Sequence, residues 1–544
     1  MNFREQIALA TPDRDACAGR RWQYVPYDQL TDAAGPLATA EPRTHGLIFL
    51  ESRDRPRRRP YHKKKLALLL SNQRHFALEC AARGFKVIYR SGDADFDALL
   101  AETRARHGLG EITVMEPAER ALRQRLVGQP GVRVVPNETW LSTREHFLDA
   151  VGPEAPWRMD AYYRAERRRT GLLMARGAPL GERFSHDPEN RHPWRGTPPA
   201  PRPFSVAPDA ITREVLDLVA LRFSHHWGAL DGFDLPCAAR DHAALWRHSL
   251  TEALPHFGPY EDAMSQHEAR LFHTLVSASV NLSRLLPAQL VTDVVAAYDA
   301  RRVGLASAEG FVRQLLGWRE FVRHVHRETD GFRTLDPEGA PNFCEAVEPL
   351  PEAWRGGAPS GLRCLDTAVD RVWRDGYAHH IERLMVLSNL ATLVGVSPRA
   401  LTEWFWYGFV DAYDWVVEPN VLAMGTFGAG SCMTTKPYVS GAAYLDRMSD
   451  FCEGCQFDPS GRARDRACPV TPMYWDFLSR NAGRLAANER MRVPLAAAAR
   501  RSEAQRAHAA RVTAEVQRTL ARGARLAPDL VASCLGPATS EPQS

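Results

Sequence analysis

The chain has 544 residues, of which 44% are hydrophobic and 25% charged, with 69 Lys and Arg against 65 Asp and Glu for a formal net charge of +4. This length exceeds what one simple core organises, so two or three domains are expected, and the near balance of charge leaves room for a local basic face but not for a polybasic protein. No apolar run is long enough to span a bilayer and Met1-Asn-Phe-Arg lacks a signal-peptide core, so the expected setting is the cytoplasm, away from membranes; ten cysteines in such a length are not a disulfide scaffold, and a reducing compartment leaves thiolates free for metal.

From 22 to 151, short apolar runs such as Gly46-Leu-Ile-Phe-Leu50 and Phe85-Lys-Val-Ile-Tyr89 alternate with helical patterns over 65–83 and 96–107. That alternation predicts an α/β domain with a parallel, Rossmann-like sheet, preceded by an extension over 1–21. The stretch 152–211 holds Phe184-Ser-His-Asp-Pro-Glu-Asn-Arg-His-Pro-Trp194 and Thr197-Pro-Pro-Ala-Pro-Arg-Pro203. Proline removes donors and blocks the α region before it, so this stretch reads as an interdomain linker. Helical periodicity dominates from 212 to 495, which predicts a large all-α domain. The Ala/Arg-rich segment after it, within 496–544, reads as a solvated surface helix and tail.

Within the helical part, Phe257-Gly-Pro-Tyr-Glu-Asp-Ala-Met-Ser265 leads into Leu271-Phe-His-Thr-Leu-Val-Ser-Ala-Ser279, the pattern of a loop feeding a helix N-terminus, where exposed N–H groups and hydroxyls suit a pyrophosphate. Val312-Arg-Gln-Leu-Leu-Gly-Trp-Arg-Glu-Phe321, taken by itself, is an amphipathic helix with one ion pair. His379 and His380 point about 100° apart on a helix, so at most one faces a common pocket. Cys452 and Cys455 form a Cys-x-x-Cys turn, Cys468 follows a short loop and Cys364 lies far upstream; four thiolates fit tetrahedral zinc or a [4Fe-4S] cluster, and spacing does not choose between them. The densest basic runs, Arg53 to Arg59 followed by Lys63-Lys-Lys65, and Arg164 to Arg169, are by default solvated surface.

The ordered series Gly376-Tyr-Ala-His-His-Ile-Glu-Arg-Leu-Met385, Asp411-Ala-Tyr-Asp-Trp-Val-Val-Glu-Pro-Asn420, Lys436-Pro-Tyr-Val-Ser-Gly-Ala-Ala-Tyr444 and Arg447-Met-Ser-Asp450 resembles the cryptochrome/photolyase superfamily, most closely its bacterial iron-sulfur branch, the prokaryotic (6-4) photolyases. Arg313 to Phe321 matches that superfamily's signature almost letter for letter. The resemblance implies a monomeric lyase that binds UV-damaged DNA and repairs (6-4) pyrimidine photoproducts by electron transfer from light-excited reduced FAD. It also implies a [4Fe-4S] cluster on Cys364, Cys452, Cys455 and Cys468, and a 6,7-dimethyl-8-ribityllumazine antenna. A flavin photoreceptor of the cryptochrome type, which signals instead of repairing, is the alternative.

By the same resemblance, His380 is the proton donor at the lesion with His379 beside it, and Tyr438 and Tyr444 lie near the extruded base. FAD falls to Tyr260, Ser265, Gln314, Arg319, Asp411, Asp414 and Asn420, and Trp404 matches a position linked to flavin photoreduction, with Trp354 as a further carrier. Asp28 and Glu51, at strand ends, match contacts to the antenna. The chain departs from the family pattern at Tyr27, at Phe405 where tyrosine is common, at Val417, and over Gly425-Thr-Phe-Gly-Ala-Gly430.

Overall fold

The computed structural model describes residues 2–12, 17–335 and 340–535, so part of the expected extension and the end of the expected tail lie outside the described residues. Five parallel strands, β1 (Arg21–Tyr24), β2 (His45–Ser52), β3 (Lys86–Gly92), β4 (Ile112–Met115) and β5 (Val132–Val135), form one sheet in the order β3-β2-β1-β4-β5. Leu47, Ile48, Phe49 and Leu50 of β2 are all at most 1% exposed. Consecutive residues on a strand face opposite ways, so this unbroken apolar run serves two layers at once. Leu47 and Phe49 pack with Phe76, Ala77 and Cys80 of the helix Lys63–Ala82. Ile48 and Leu50 pack with Phe96, Leu99 and Leu100 of the helix Phe96–His107. The short helix Phe3–Ala8 closes this domain from outside, its Phe3 ring edge-on to Tyr89 at 4.7 Å and beneath Arg74.

The stretch expected as a linker carries the helix Met159–Thr170, whose Tyr162 and Tyr163 are fully buried. The prolines that mark a linker in the sequence all lie after that helix or before it. From 210 on, helices dominate, and beyond the sheet the described residues hold only a two-stranded hairpin, Met174–Ala175 with Ala178–Pro179, and isolated bridges. The Ala/Arg-rich helix Glu503–Ala521 is not solvated all round: Ala509 is buried, and Val512, Val516 and Leu520 join the core that holds Met473 and Phe477.

Four segments of the helical region are π-helical: Ser249–Ala253, Arg313–Arg319, Arg383–Ser388 and Glu418–Gly425. The last three coincide with the motifs that carry the family resemblance. A π turn inserts a residue into the i→i−4 ladder and turns neighbouring side chains out of register, which is why such turns collect at functional sites.

Candidate active site

The loop before His379 is set by Gly376, which ends the helix Arg363–Asp375 at φ +63 and lies so close to Val410 that a Cβ would stand 2.6 Å from its Cγ1. The Gly376 carbonyl accepts from Val410 N at 3.0 Å, which locks the turn to the segment leading into Asp411. The π-helical segment then presents Arg383 to Asp411 as a two-pronged pair at 3.0 and 3.1 Å. Burial would push the Asp411 carboxyl up, but the Arg383 guanidinium and the Ser277 hydroxyl, which donates at 2.7 Å, outweigh it and hold the group below the usual carboxylate range. Asn281 completes the set by donating to the Asp411 carbonyl at 2.9 Å.

Ser277 begins the helix Ser277–Asn281, and the residues before it form a loop in which Leu271 (φ 40) and Leu275 (φ 58) take left-handed conformations. A leucine there costs about 1–3 kcal/mol and persists only where surrounding structure fixes it. Phe272 supplies that anchor, fully buried and packed 5.3 Å from the Tyr260 ring, whose hydroxyl donates to the Thr197 carbonyl. His273, from the same loop, stacks on His379 at 4.5 Å with rings 12° apart, and its Nε2 is a buried nitrogen without a partner. One strained loop thus touches Asp411 through Ser277 and His379 through His273.

The two adjacent histidines part company, but not as neighbours on one helix: His379 is extended (φ −73, ψ 165) and caps the short helix His380–Glu382, so the 100° offset expected of a helix does not apply. His379 is buried, and that burial, with the neighbouring His273 and His380, keeps its imidazole well below the ordinary value; His380 is 45% exposed at the mouth of the site, with Nε2 3.5 Å from Asp262 Oδ1. Desolvation pulls the His380 imidazolium down, but the Asp262 hydrogen bond and the charges of Glu261 and Asp262 outweigh it, and the net shift is upward. Tyr444 shares this mouth: burial raises its phenol, as does the Asp262 charge, against Arg191 and Arg447. Tyr438, raised by burial and Asp187, feels Arg191 and Arg490. Arg191, Arg447 and Arg490 are scattered in sequence, so no basic run announced them.

The remaining motif residues support this mouth from behind. Gln314 donates to Glu261 at 2.5 Å, and Arg313 and Asn190 reach the same carboxylate, so the signature helix fixes the residue next to Asp262. Ser265 donates to Asp450 at 2.8 Å and its carbonyl accepts from Arg371 at 2.6 Å. Arg319 lies over the Trp140 ring at 3.8 Å, and burial lowers it to about 10. Asn420 donates to the Val416 carbonyl. Asp414 accepts from the backbone N–H of Arg120 at 2.8 Å and of Trp415 at 2.7 Å, which places it where the helical region meets the sheet domain. Trp404 is buried with an unpartnered Nε1; its ring meets Phe409, which lies under Arg383, and Trp227 at 6.2 Å. Trp227 in turn meets Trp373 at 5.1 Å, and Trp373 is 39% exposed, whereas Trp354 donates to the Leu387 carbonyl.

The four cysteines converge. Cys364, on the helix Arg363–Asp375, is raised by burial and then by the nearby thiols of Cys468, Cys452 and Cys455. Gly454, at φ +68, bends the Cys-x-x-Cys turn so that Cys455 N donates to the Cys452 carbonyl at 3.2 Å. Cys468 N donates to the Asp458 carbonyl at 2.9 Å, which returns that loop to the turn.

A cleft opens at the carboxyl edge of the sheet and includes Tyr27, Glu51, Arg53, Arg55, Lys65, Trp406 and Tyr413 in its wall. It lies where strand order reverses, the position that ligands of such sheets favour. Glu51 already holds Arg74 at 3.2 Å and the Tyr89 hydroxyl at 2.8 Å. Asp28 lies buried, with Oδ1 unpartnered and its carboxyl pushed up to about 6 by burial. Burial pulls the Lys65 ammonium down to about 7 against the charges of Asp411 and Asp414, and its Nζ donates to the carbonyls of Trp406 and Ala412 at 2.6 and 2.5 Å. The basic runs are internally satisfied: Arg53 and Arg57 pair with Asp93, Arg58 with Asp54, Arg164 with Asp160, Arg169 with Glu166, and buried Arg167 with backbone carbonyls.

A parallel-sheet domain joined to a helical region with this connected site defines the photolyase and cryptochrome fold. Residues 23–235 match the family described as deoxyribodipyrimidine photo-lyase-related protein, and residues 311–470 match the FAD binding domain of DNA photolyase. A (6-4) photolyase of Agrobacterium fabrum is 34% identical over 487 residues, covering 88% of this chain and 95% of that protein. The chain belongs to the deoxyribodipyrimidine photo-lyase-related family. Among solved structures, a bacterial class III photolyase from Agrobacterium tumefaciens shares the fold at 16% identity and a TM-score of 0.52, over 92% of this chain and 98% of that one. A cryptochrome from Synechocystis sp. PCC6803 does so at 15% identity and a TM-score of 0.52, over 76% and 83%. No helix among the described residues is long and apolar enough to cross a membrane.

Proposed function

We propose that the protein uses light to repair (6-4) pyrimidine photoproducts in DNA, with FAD held along Ser277, Arg383 and Asp411 and with His380 as the proton donor at the lesion. The observation that carries this reading is the connection of an open His380–Asp262–Tyr444 mouth, through one strained loop, to the buried Asp411–Arg383 pair. The backbone strained at Leu271 and Leu275 fits a loop shaped for a bound pyrophosphate. When bound, reduced and excited, FAD supplies the electron. Asp262 holds the His380 ring and its proton at Nε2, beside an extruded base. Tyr438 and Tyr444 offer that base ring faces and hydroxyls. Arg191, Arg447 and Arg490 meet phosphates at the same mouth, giving a salt-sensitive grip. Phe409, Trp404, Trp227 and Trp373 provide an aromatic route for electrons from solvent.

On the thiols, the same reading places one [4Fe-4S] cluster. The thiols of Cys452, Cys455 and Cys468 that raise Cys364 make an all-sulfur donor set of four, which suits such a cluster. Anaerobically purified protein is expected to contain iron and sulfide in near-equal amounts; zinc without sulfide would rule the cluster out. A ribityllumazine antenna fits the sheet-edge cleft, where Asp28 and Glu51 accept hydrogen bonds, and heat-released chromophores identify it by chromatography and fluorescence.

Repair of an oligonucleotide with one defined (6-4) lesion tests the whole reading. His380→Ala is expected to keep FAD and lose about 10²–10⁴-fold in repair rate, and Asp262→Asn to lose less. Equal repair by wild type and His380→Ala removes His380 from the chemistry. FAD-loaded wild type that repairs nothing in light leaves the photoreceptor alternative standing.

A further inference from the structure

The mouth of the candidate active site carries a donor set that the repair reading does not use as a set. His273, from the strained loop, and His379 and His380, from the turn after Gly376, each bring one ring nitrogen within 4.8 Å of the others. His273 lies flat on His379 and edge-on to His380, with centroids 5.4 Å apart and planes at 71°. Three buried nitrogens, Nε2 of His273 and both of His379, have no hydrogen-bond partner. Buried polar atoms are nearly always paired, so orphaned nitrogens on two stacked rings, His273 and His379, point to an absent group that would satisfy them.

Two of the rings also have a carboxylate behind them. Glu382 Oε1 lies 3.6 Å from His379 Nε2, and Asp262 Oδ1 lies 3.5 Å from His380 Nε2. Metal-ligating histidines characteristically direct their other nitrogen to a carboxylate, which fixes the ring and offsets the ion's charge. Three imidazoles form a nitrogen set suited to Zn²⁺ or Co²⁺ and unsuited to Mg²⁺ or Ca²⁺, which take oxygen. Bonds of about 2.0–2.1 Å need nitrogens roughly 3.4 Å apart. The set must therefore draw in by a little over an ångström, and the 45% exposed His380 ring has the freedom to do so.

We propose that His273, His379 and His380 form a transition-metal site at the mouth of the candidate active site that takes Zn²⁺ or Co²⁺ with one position open beside the exposed His380, and that the bound ion silences repair. No bond is made or broken in substrate; the ion occupies a lone pair on the ring that must otherwise carry and give the proton. Binding follows from the geometry alone, whereas silencing rests on His380 acting as the proton donor.

The experiment uses FAD-loaded holoprotein, titrated with Zn²⁺ by calorimetry and then measured by zinc X-ray absorption. One ion per chain is expected, with nitrogen and oxygen neighbours at about 2.0–2.1 Å and no sulfur shell at about 2.3 Å, which distinguishes this site from the cysteines. His273→Ala and His380→Gln are each expected to weaken binding at least tenfold; His380 is exposed, so the second variant keeps the test valid if the first folds poorly. Repair by wild type is expected to fall in proportion to occupancy and to return on chelation. A sulfur shell, or unchanged affinity in both variants, overturns the site while leaving the repair reading intact. Nitrogen-bound zinc with undiminished repair overturns the silencing and removes His380 as proton donor.

Discussion

Asp28 and Asp411 are nearly equally buried, 7% and 5% exposed, yet burial has opposite outcomes at the two. Asp411 is met by Arg383, Ser277 and Lys65, and is held ionised. Asp28 has an unpartnered oxygen, and the backbone N–H groups of Asp28 and Ala118 and the Arg55 charge do not outweigh its burial, so its carboxyl rises to about 6. Burial alone therefore does not set charge in this molecule; the partners provided by each fold do. The helical site holds a pre-paired anion, while the sheet domain keeps a buried carboxyl with an unpartnered oxygen.

The sharpest way to break this contrast is Arg383→Ala, which strands Asp411 as a buried, unpaired charge. A loss of about 3–5 kcal/mol is expected, seen as a lower midpoint in denaturant and as loss of bound FAD. Adding Asp411→Asn to that variant is expected to restore part of the stability, since the charge goes with its partner. Restoration by neither substitution would mean that the pair is not what stabilises this region.

Asp28→Asn tests the other side through pH. The folded-state value of about 6 lies above the ordinary 3.8, so Asp28 contributes stability below pH 4 that is lost as pH rises through 6, a change of about 3 kcal/mol. Tyr24, Arg55, Tyr413 and Asp414 are the charged or titratable groups around it. The variant is expected to flatten that slope and to unfold later than wild type at pH 7; an unchanged slope would assign it to another group.

Asp414→Asn is a smaller perturbation. If Asp414 joins the two regions through Arg120, the cost is about 1 kcal/mol and the spectrum of bound FAD does not move; an altered flavin spectrum would return Asp414 to the flavin. Smallest in energy is Trp373→Phe, which is expected to leave stability within about 0.5 kcal/mol while slowing photoreduction of bound FAD by an external thiol. Loss of rate in Trp354→Phe instead would move the route to the other tryptophan.

Much of the architecture was legible because it is written in short-range pattern. Apolar runs alternating with amphipathic stretches gave the parallel sheet, and Cys364, Cys452, Cys455 and Cys468 were picked out as a ligand set that the fold then brought together. What was not legible is decided by partners distant in sequence. Arg313 to Phe321 could be read as a motif, but not that Gln314 would hold Glu261 or that Arg319 would lie on Trp140. Trp227 and Trp373 became visible only when folding set them beside Trp404. Tyr162 and Tyr163 lie in a charged helix, so their burial follows from what covers them, not from periodicity.

Lys65 links the sheet-edge cleft to the Asp411 site through one side chain. Its stem faces the sheet-edge cleft, its ammonium grips the carbonyl of Ala412 next to Asp411, and its charge helps hold that carboxylate ionised. A molecule that fills the cleft therefore presses on a group already engaged at the Asp411 site, and any preference of one ligand for a particular Lys65 position is a preference felt by the other. Such coupling is reciprocal by thermodynamic necessity, so each occupant tightens or loosens its neighbour by the same factor. The two sites are in this sense a single binding system.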